Sequence, residues 1–121
     1  MKCPCNPNKL YSNCCEKAHN NIHSVKTAEA LMRSRYSAFV LANIDYLQKS
    51  HHSSTRPSNK EKKEILNWTN SVDWIKLEII NSTETIVEFK AYFIENGQMD
   101  VIHEKSSFIK ENDYWTYLKA Y

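Results

Sequence analysis

The chain is nearly without glycine: Gly97 is the single one among 121 residues. Loops that cradle phosphates need several glycines for their tight turns and close backbone approach, so Walker-type and Rossmann-type nucleotide sites are excluded. No apolar run approaches the length of a membrane span. Net charge is low, formally +2, which gives no argument for nucleic-acid binding. Internal repeats and low-complexity tracts are also missing. Cysteine is absent from every position after residue 15. With 41% hydrophobic and 25% charged residues, the remainder reads as one ordinary globular domain plus a small appendage.

The cysteines that do occur are crowded. Cys3-Pro4-Cys5 is followed by eight residues and then Cys14-Cys15. Four thiolates gathered by one short loop are the donor set of a tetrahedral zinc site. The competing reading is a disulfide framework. Within each pair the cysteines are too close for an unstrained bridge, whereas cross-pairing the two pairs is geometrically open. Met1-Lys2 runs straight into Cys3 with no positive n-region and no apolar h-region. The expectation is therefore a cytoplasmic protein whose thiols stay reduced. A redox pair is disfavoured because the C-x-x-C spacing is missing. Four protein ligands leave no open coordination position, so the zinc is expected to be structural or part of a docking surface. Lys2, Lys9 and Lys17 flank the site and oppose its charge of about −2.

Hydropathy patterning predicts an α+β fold. Residues 1–20 form the metal module, and Asn20 to Ser24 reads as a short linker. Thr27 caps a helix over 28–41. A second short helix covers 46–49, and a third covers 60–67 behind Ser58 or Asn59. From Asp73 the period changes to two. Ile75, Leu77 and Ile79 form one alternating set, and Val87, Phe89, Ala91 and Phe93 form the next. Asn96-Gly97 and Asn112-Asp113 mark hairpin turns. Three helices followed by a four-stranded antiparallel meander predict a curved sheet that wraps its helices as a cone.

One residue disturbs the first helix. Ala28, Leu31, Met32, Ala38, Phe39 and Ala42 make an apolar face, and Arg35 falls in its middle. A buried guanidinium needs a partner. Glu104 is the expected one, because Ile102, Glu104, Ser106 and Phe108 share the inward face of their strand. His51-His52 lies at the cone mouth, with His52 as a candidate pocket residue. The aromatics Trp68, Trp74, Phe89, Phe93, Phe108 and Trp115 are first of all core.

These residues resemble the YchJ-like family. Cys-Pro-Cys with Leu10-Tyr11-Ser12-x-Cys14-Cys15 is similar to its amino-terminal zinc knuckle, itself similar to the SEC-C motif at the end of the SecA translocation ATPase. Leu31-Met32-Arg33-Ser34-Arg35-Tyr36-x-Ala38-Phe39 resembles the family's most specific stretch. Asp45-Tyr46-Leu47, His52, Trp74, Glu104-x-Ser106-x-Phe108 and Trp115-x-Tyr117 extend the likeness. Asn6-Pro7-Asn8 departs from the usual Gly-Ser-Gly, and no second knuckle follows Tyr117. The resemblance implies a SEC-C-like knuckle over 1–20 and a nuclear transport factor 2-like domain over 24–121. The implied pocket is Arg35, Tyr36, Phe39, His52, Glu104, Ser106, Phe108 and Trp115, and the implied metal ligands are Cys3, Cys5, Cys14 and Cys15.

Three functions are open at this point. The first is a zinc-binding adaptor, its knuckle docking on a protein or ribonucleoprotein partner, as the similar motif of SecA docks the chaperone SecB and ribosomes. On that reading Cys14→Ser removes docking and leaves the cone folded. The second is a small-molecule enzyme of isomerase, dehydratase or hydrolase type, with Glu104 as acid or base, Arg35 and Ser106 orienting substrate and His52 assisting. The third is an oligomerisation unit, with Ile86, Tyr92, Val101 and His103 on the outer sheet face pairing two subunits into a homodimer. RNA or the ribosome as partner gains no support from net charge, and no membrane contact is expected.

Overall fold

The computed structural model describes residues 1–121. The amino-terminal segment is a small hairpin of β1 (Lys2–Cys3) and β2 (Asn6–Leu10), a single tight turn at Tyr11–Asn13, and α1 (Cys15–Asn20). A second tight turn, Ile22–Ser24, leads to α2 (Ala28–Val40), α3 (Ile44–Lys49) and α4 (Asn59–Ser71). The sheet follows as β3 (Asp73–Ser82), β4 (Ile86–Glu95), β5 (Gln98–Glu111) and β6 (Tyr114–Ala120), antiparallel and in that spatial order. The four-stranded meander expected from the change of period is therefore present. No helix is long and apolar enough to cross a membrane.

Local chemistry explains the element ends. The Thr27 hydroxyl accepts from Ala30 N at 3.0 Å and starts α2. Ala42, at φ 55°, ends the run, and Asn43 Oδ1 accepts from Tyr46 N to start α3. Ser58 and Glu61 form a reciprocal capping box at α4. Both hairpin turns use pairs of positive-φ residues, Asn96-Gly97 at 53° and 76° and Asn112-Asp113 at 53° and 67°. Their twist matches that of the flanking strands.

The sheet departs from strict alternation at β3. Trp74 pairs with Phe93 but Lys76 pairs with Tyr92, so Ile75 is an extra residue; Ile80 is another, between Ile79 and Asn81. Each is a β-bulge that re-aims its neighbours and increases twist. The inward set is thus Trp74, Leu77 and Ile79, opposite Phe93, Ala91 and Phe89. Ile75 faces solvent, contrary to the expectation from period alone. At the far edge, residues 50–52 lie along β6: Tyr117 N donates to Ser50 O and His52 N to Tyr117 O, both at 2.8 Å. This covers part of an otherwise unpaired edge.

Helix α2 is the centre of the molecule. Eight of its 13 residues are buried, including Ser34, Arg35 and Ser37. The sheet covers one side and the cysteine segment covers the other, so the helix has no wide solvent face. Cys3, Cys5, Cys15, Ala18 and Ile22 belong to the same hydrophobic cluster as Leu31, Val87, Phe89 and Phe108. The stretch read as a linker is packed, with Ile22 buried and Asn21 Oδ1 accepting from His23 N.

Replacing Ser58 by alanine removes one half of the capping box. We expect a loss of about 1 kcal/mol, seen as a lower denaturant midpoint with unchanged slope; an unchanged midpoint would contradict this role for the box.

Candidate metal centre and cone cavity

The two cysteine pairs come from different local devices. Cys3 and Cys5 sit around the β1–β2 turn, where Asn6 Oδ1 accepts from Asn8 N at 3.0 Å. This contact fixes the backbone at the start of β2, just after the turn. Cys14 precedes α1 and Cys15 opens it. All four cysteines are free, and their sulfurs lie within 4.8 Å of one another. Cys3 Sγ is 3.7 Å from Cys5 Sγ, which is 3.6 Å from Cys14 Sγ. A tetrahedral ion with metal–sulfur bonds of about 2.3 Å places its sulfurs roughly 3.8 Å apart. The spacing fits such an ion.

The electrostatics point the same way. Hydrogen bonds from neighbouring thiols, that of Cys15 first, hold Cys5 down to about 5 against the effect of burial. Burial and the adjacent Cys5 charge push Cys14 up to about 11, and Cys15 is raised chiefly by its bond to Cys5. With the negative charge held at Cys5, both Cys14 and Cys15 keep their protons. A cation at the centre of the cluster would let these thiols ionise as well.

The cluster rests directly on α2. Ser37 Oγ lies 3.7 Å from Cys3 Sγ, and Arg33 Nη1 donates to Cys5 O at 3.3 Å. Arg33 is oriented in turn by Glu29, at 3.1 Å. His19, which sequence reasoning missed, adds a third tie. Tyr11 OH donates to its Nδ1 at 2.6 Å, and its Nε2 donates to Ser34 O at 2.8 Å. Its place one turn after Cys15 on α1 was the available signal. Beside the cluster lies an open groove of ≈ 290 Å³ floored by Cys14, Cys15 and Ala18, with Lys9, Lys17 and Arg33 around it. Lys2 is outside this groove.

On the opposite side of α2 the cone holds a partly open cavity of ≈ 240 Å³. Arg35, Phe39, Glu104 and Ser106 line it. The expected Arg35–Glu104 ion pair does not form. Arg35 Nη1 donates to Leu47 O at 2.8 Å and to Ser50 Oγ at 2.7 Å, and its guanidinium lies 4.9 Å from the centroid of the Tyr117 ring. The end of α3 offers free carbonyls close by, so the cation binds a helix C-terminus and an aromatic face rather than a carboxylate. Burial lowers the Arg35 pKa to about 10.

The other candidate residues divide. Tyr36 lines an adjoining ≈ 130 Å³ pocket with Trp68 and Trp74. His52 turns away from the cavity, with Nδ1 2.7 Å from Ser54 Oγ and Nε2 3.6 Å from Glu111 Oε2. His51 occupies the place assigned to it, because the chain here runs beside β6 and its residues alternate like a strand. Phe108 is packed edge-on against Tyr117 in the core and does not line the cavity. Trp115 faces the chain entering α2, its indole N–H donating to Lys26 O at 3.2 Å.

His51 carries a pH signature. Burial first, then the charges of Arg35 and Arg56, lower its pKa from 6.5 to about 4. Between these values the unfolded chain binds a proton that the folded chain refuses, so stability falls as pH drops through the window. With zinc in excess, His51→Gln is expected to flatten this limb of the stability profile relative to the wild type. Parallel profiles would contradict the burial of a neutral imidazole.

Comparisons with known proteins agree with this architecture. The family described as the middle NTF2-like domain of YchJ matches residues 27–120. A UPF0225 protein of Vibrio parahaemolyticus is 46% identical over 122 residues, covering 96% of this chain and 72% of the relative. Among solved structures, a SEC-C motif containing protein from Psychrobacter arcticus is 31% identical with a TM-score of 0.79, covering 98% of this chain and 81% of that one. Another, from Rhodopseudomonas palustris, is 27% identical with a TM-score of 0.83, covering 100% and 98%. The overall fold is thus shared with these structures, and the chain belongs to the YchJ-like family of SEC-C motif proteins.

Proposed function

We propose that this protein is a zinc-binding adaptor whose metal knuckle docks on a partner protein in a reducing cytoplasm. The observation that carries the reading is the groove beside the thiol cluster. It combines a closed donor set, which leaves no coordination position for chemistry, with the cations Lys9, Lys17 and Arg33 around an accessible floor. Such a surface fits an acidic segment of a protein, with its approach steered by charge. Zinc is the ion of choice for four thiolates in a tetrahedral site with no redox demand. A small-molecule role is the second reading. In its favour is the convergence of Arg35, Glu104 and Ser106 on the cone cavity.

The test keeps the cysteines intact. Purified protein is expected to hold one zinc per chain by atomic emission. Affinity capture from the host cytosol, with and without ribonuclease, compares wild type with a Lys9→Glu, Lys17→Glu variant. The expected result is a ribonuclease-insensitive protein held by the wild type, released by salt and lost from the variant. Equal capture by both, or loss of all capture after ribonuclease, would contradict a protein-docking groove.

A further inference from the structure

The cone cavity contains polar groups that the protein itself leaves without partners. Ser106 is fully buried, and its Oγ is the sole sealed side-chain polar atom with no hydrogen bond. A hydroxyl in that state is costly, and an alanine would fill the site without the penalty. Arg35 bonds through Nη1 alone, so Nε and Nη2 find no acceptor in the protein. Glu104 is in no ion pair, although Arg35 lines the same cavity. Two opposite charges and a serine with an unpaired hydroxyl therefore line one partly open space, with no ion pair between the charges.

Complementarity narrows the ligand. A metal cation is disfavoured by the guanidinium, and a phosphate by the Glu104 carboxylate. A ligand that meets all three groups carries an acceptor for Arg35 and Ser106 and, next to it, a donor for Glu104. The apolar part of such a ligand has a place to go. Phe39, Phe89 and Glu104 line both this cavity and the adjoining pocket walled by Tyr36, Trp68 and Trp74. Aromatic walls with a few convergent polar groups are the usual make-up of a small-molecule site.

We propose that the cone cavity binds a small apolar carboxylic acid bearing a hydroxyl or amino group on its α-carbon. The carboxylate accepts from Arg35 and Ser106, the α-substituent donates to Glu104, and the apolar body lies against Phe39, Trp68 and Trp74. This site is across α2 from the thiol cluster, so it stands or falls independently of the docking groove.

Titration of the metal-loaded full chain, followed by amide and indole NMR, tests it with four probes. 3-Phenyllactate and phenylalanine have both polar groups, hydrocinnamate lacks the α-donor, and 2-phenylethanol lacks the carboxylate. At least one of the first two is expected to give saturable shifts at His51, Ser106 and the indoles of Trp68 and Trp74, and whichever binds tighter separates the hydroxy from the amino class. Hydrocinnamate is expected to bind about tenfold more weakly, the loss of one hydrogen bond to a charged group, and 2-phenylethanol is expected not to saturate. Ser106→Ala is expected to weaken the better acid about tenfold while raising the melting temperature, a combination that a purely structural serine would not give. Absence of saturable shifts from both acids, equal binding of 2-phenylethanol, or unchanged affinity in Ser106→Ala would overturn the proposal.

Discussion

The seating of the thiol cluster on α2 is the contact on which the rest of the structure depends. Cys3 meets Ser37, Cys5 O meets Arg33, and His19 ties α1 to the Ser34 carbonyl. These contacts bury small hydroxyl residues on a helix face that would otherwise face water. The sulfur-rich segment adds Cys3, Cys5, Cys15, Ala18 and Ile22 to the core of the domain. A segment of some twenty residues has too little apolar surface to fold alone, so an ion held by its four thiols would supply folding energy. The thiol segment and the cone share one core, which predicts that they unfold together rather than the knuckle alone.

With one side of α2 covered by the cysteine segment, the other side is free to shape the cone. Arg35 is fixed by Leu47 O, Ser50 Oγ and the Tyr117 ring, which ties α2 to α3 and to the last strand. Its charge is stabilised by carbonyl dipoles and an aromatic face instead of by Glu104. That leaves the carboxylate and Ser106 available to the cavity. One guanidinium thus serves both the packing of three elements and the polarity of the space between them.

Much of this was legible in the residues. The cysteine spacing located the thiol cluster, the change of period at Asp73 located the sheet, and positive-φ pairs at Asn96-Gly97 and Asn112-Asp113 located its turns. Arg35 was visible as a charge within an apolar stripe. Its partner was not, because a helix C-terminus is a backbone acceptor that side-chain patterning does not display. The bulges at Ile75 and Ile80 were hidden for a similar reason, since an inserted residue keeps the composition of a strand while shifting its phase. The burial of Ser34 and Ser37 was not visible in the sequence, because their cover comes from a segment distant in pattern. His51 and His52 were adjacent, and only the pairing of this loop with Tyr117 decides which of them enters the cavity.

The most direct measurement is the NMR spectrum of the full chain as its metal is removed by a chelator. If the thiol cluster and the cone are one folding unit, the amides of Arg33 and Ser37 and those of Phe89 and Ala91 on β4 lose their native shifts together, in a single transition. Native shifts retained through β3 to β6 while only the first twenty residues broaden would contradict the account.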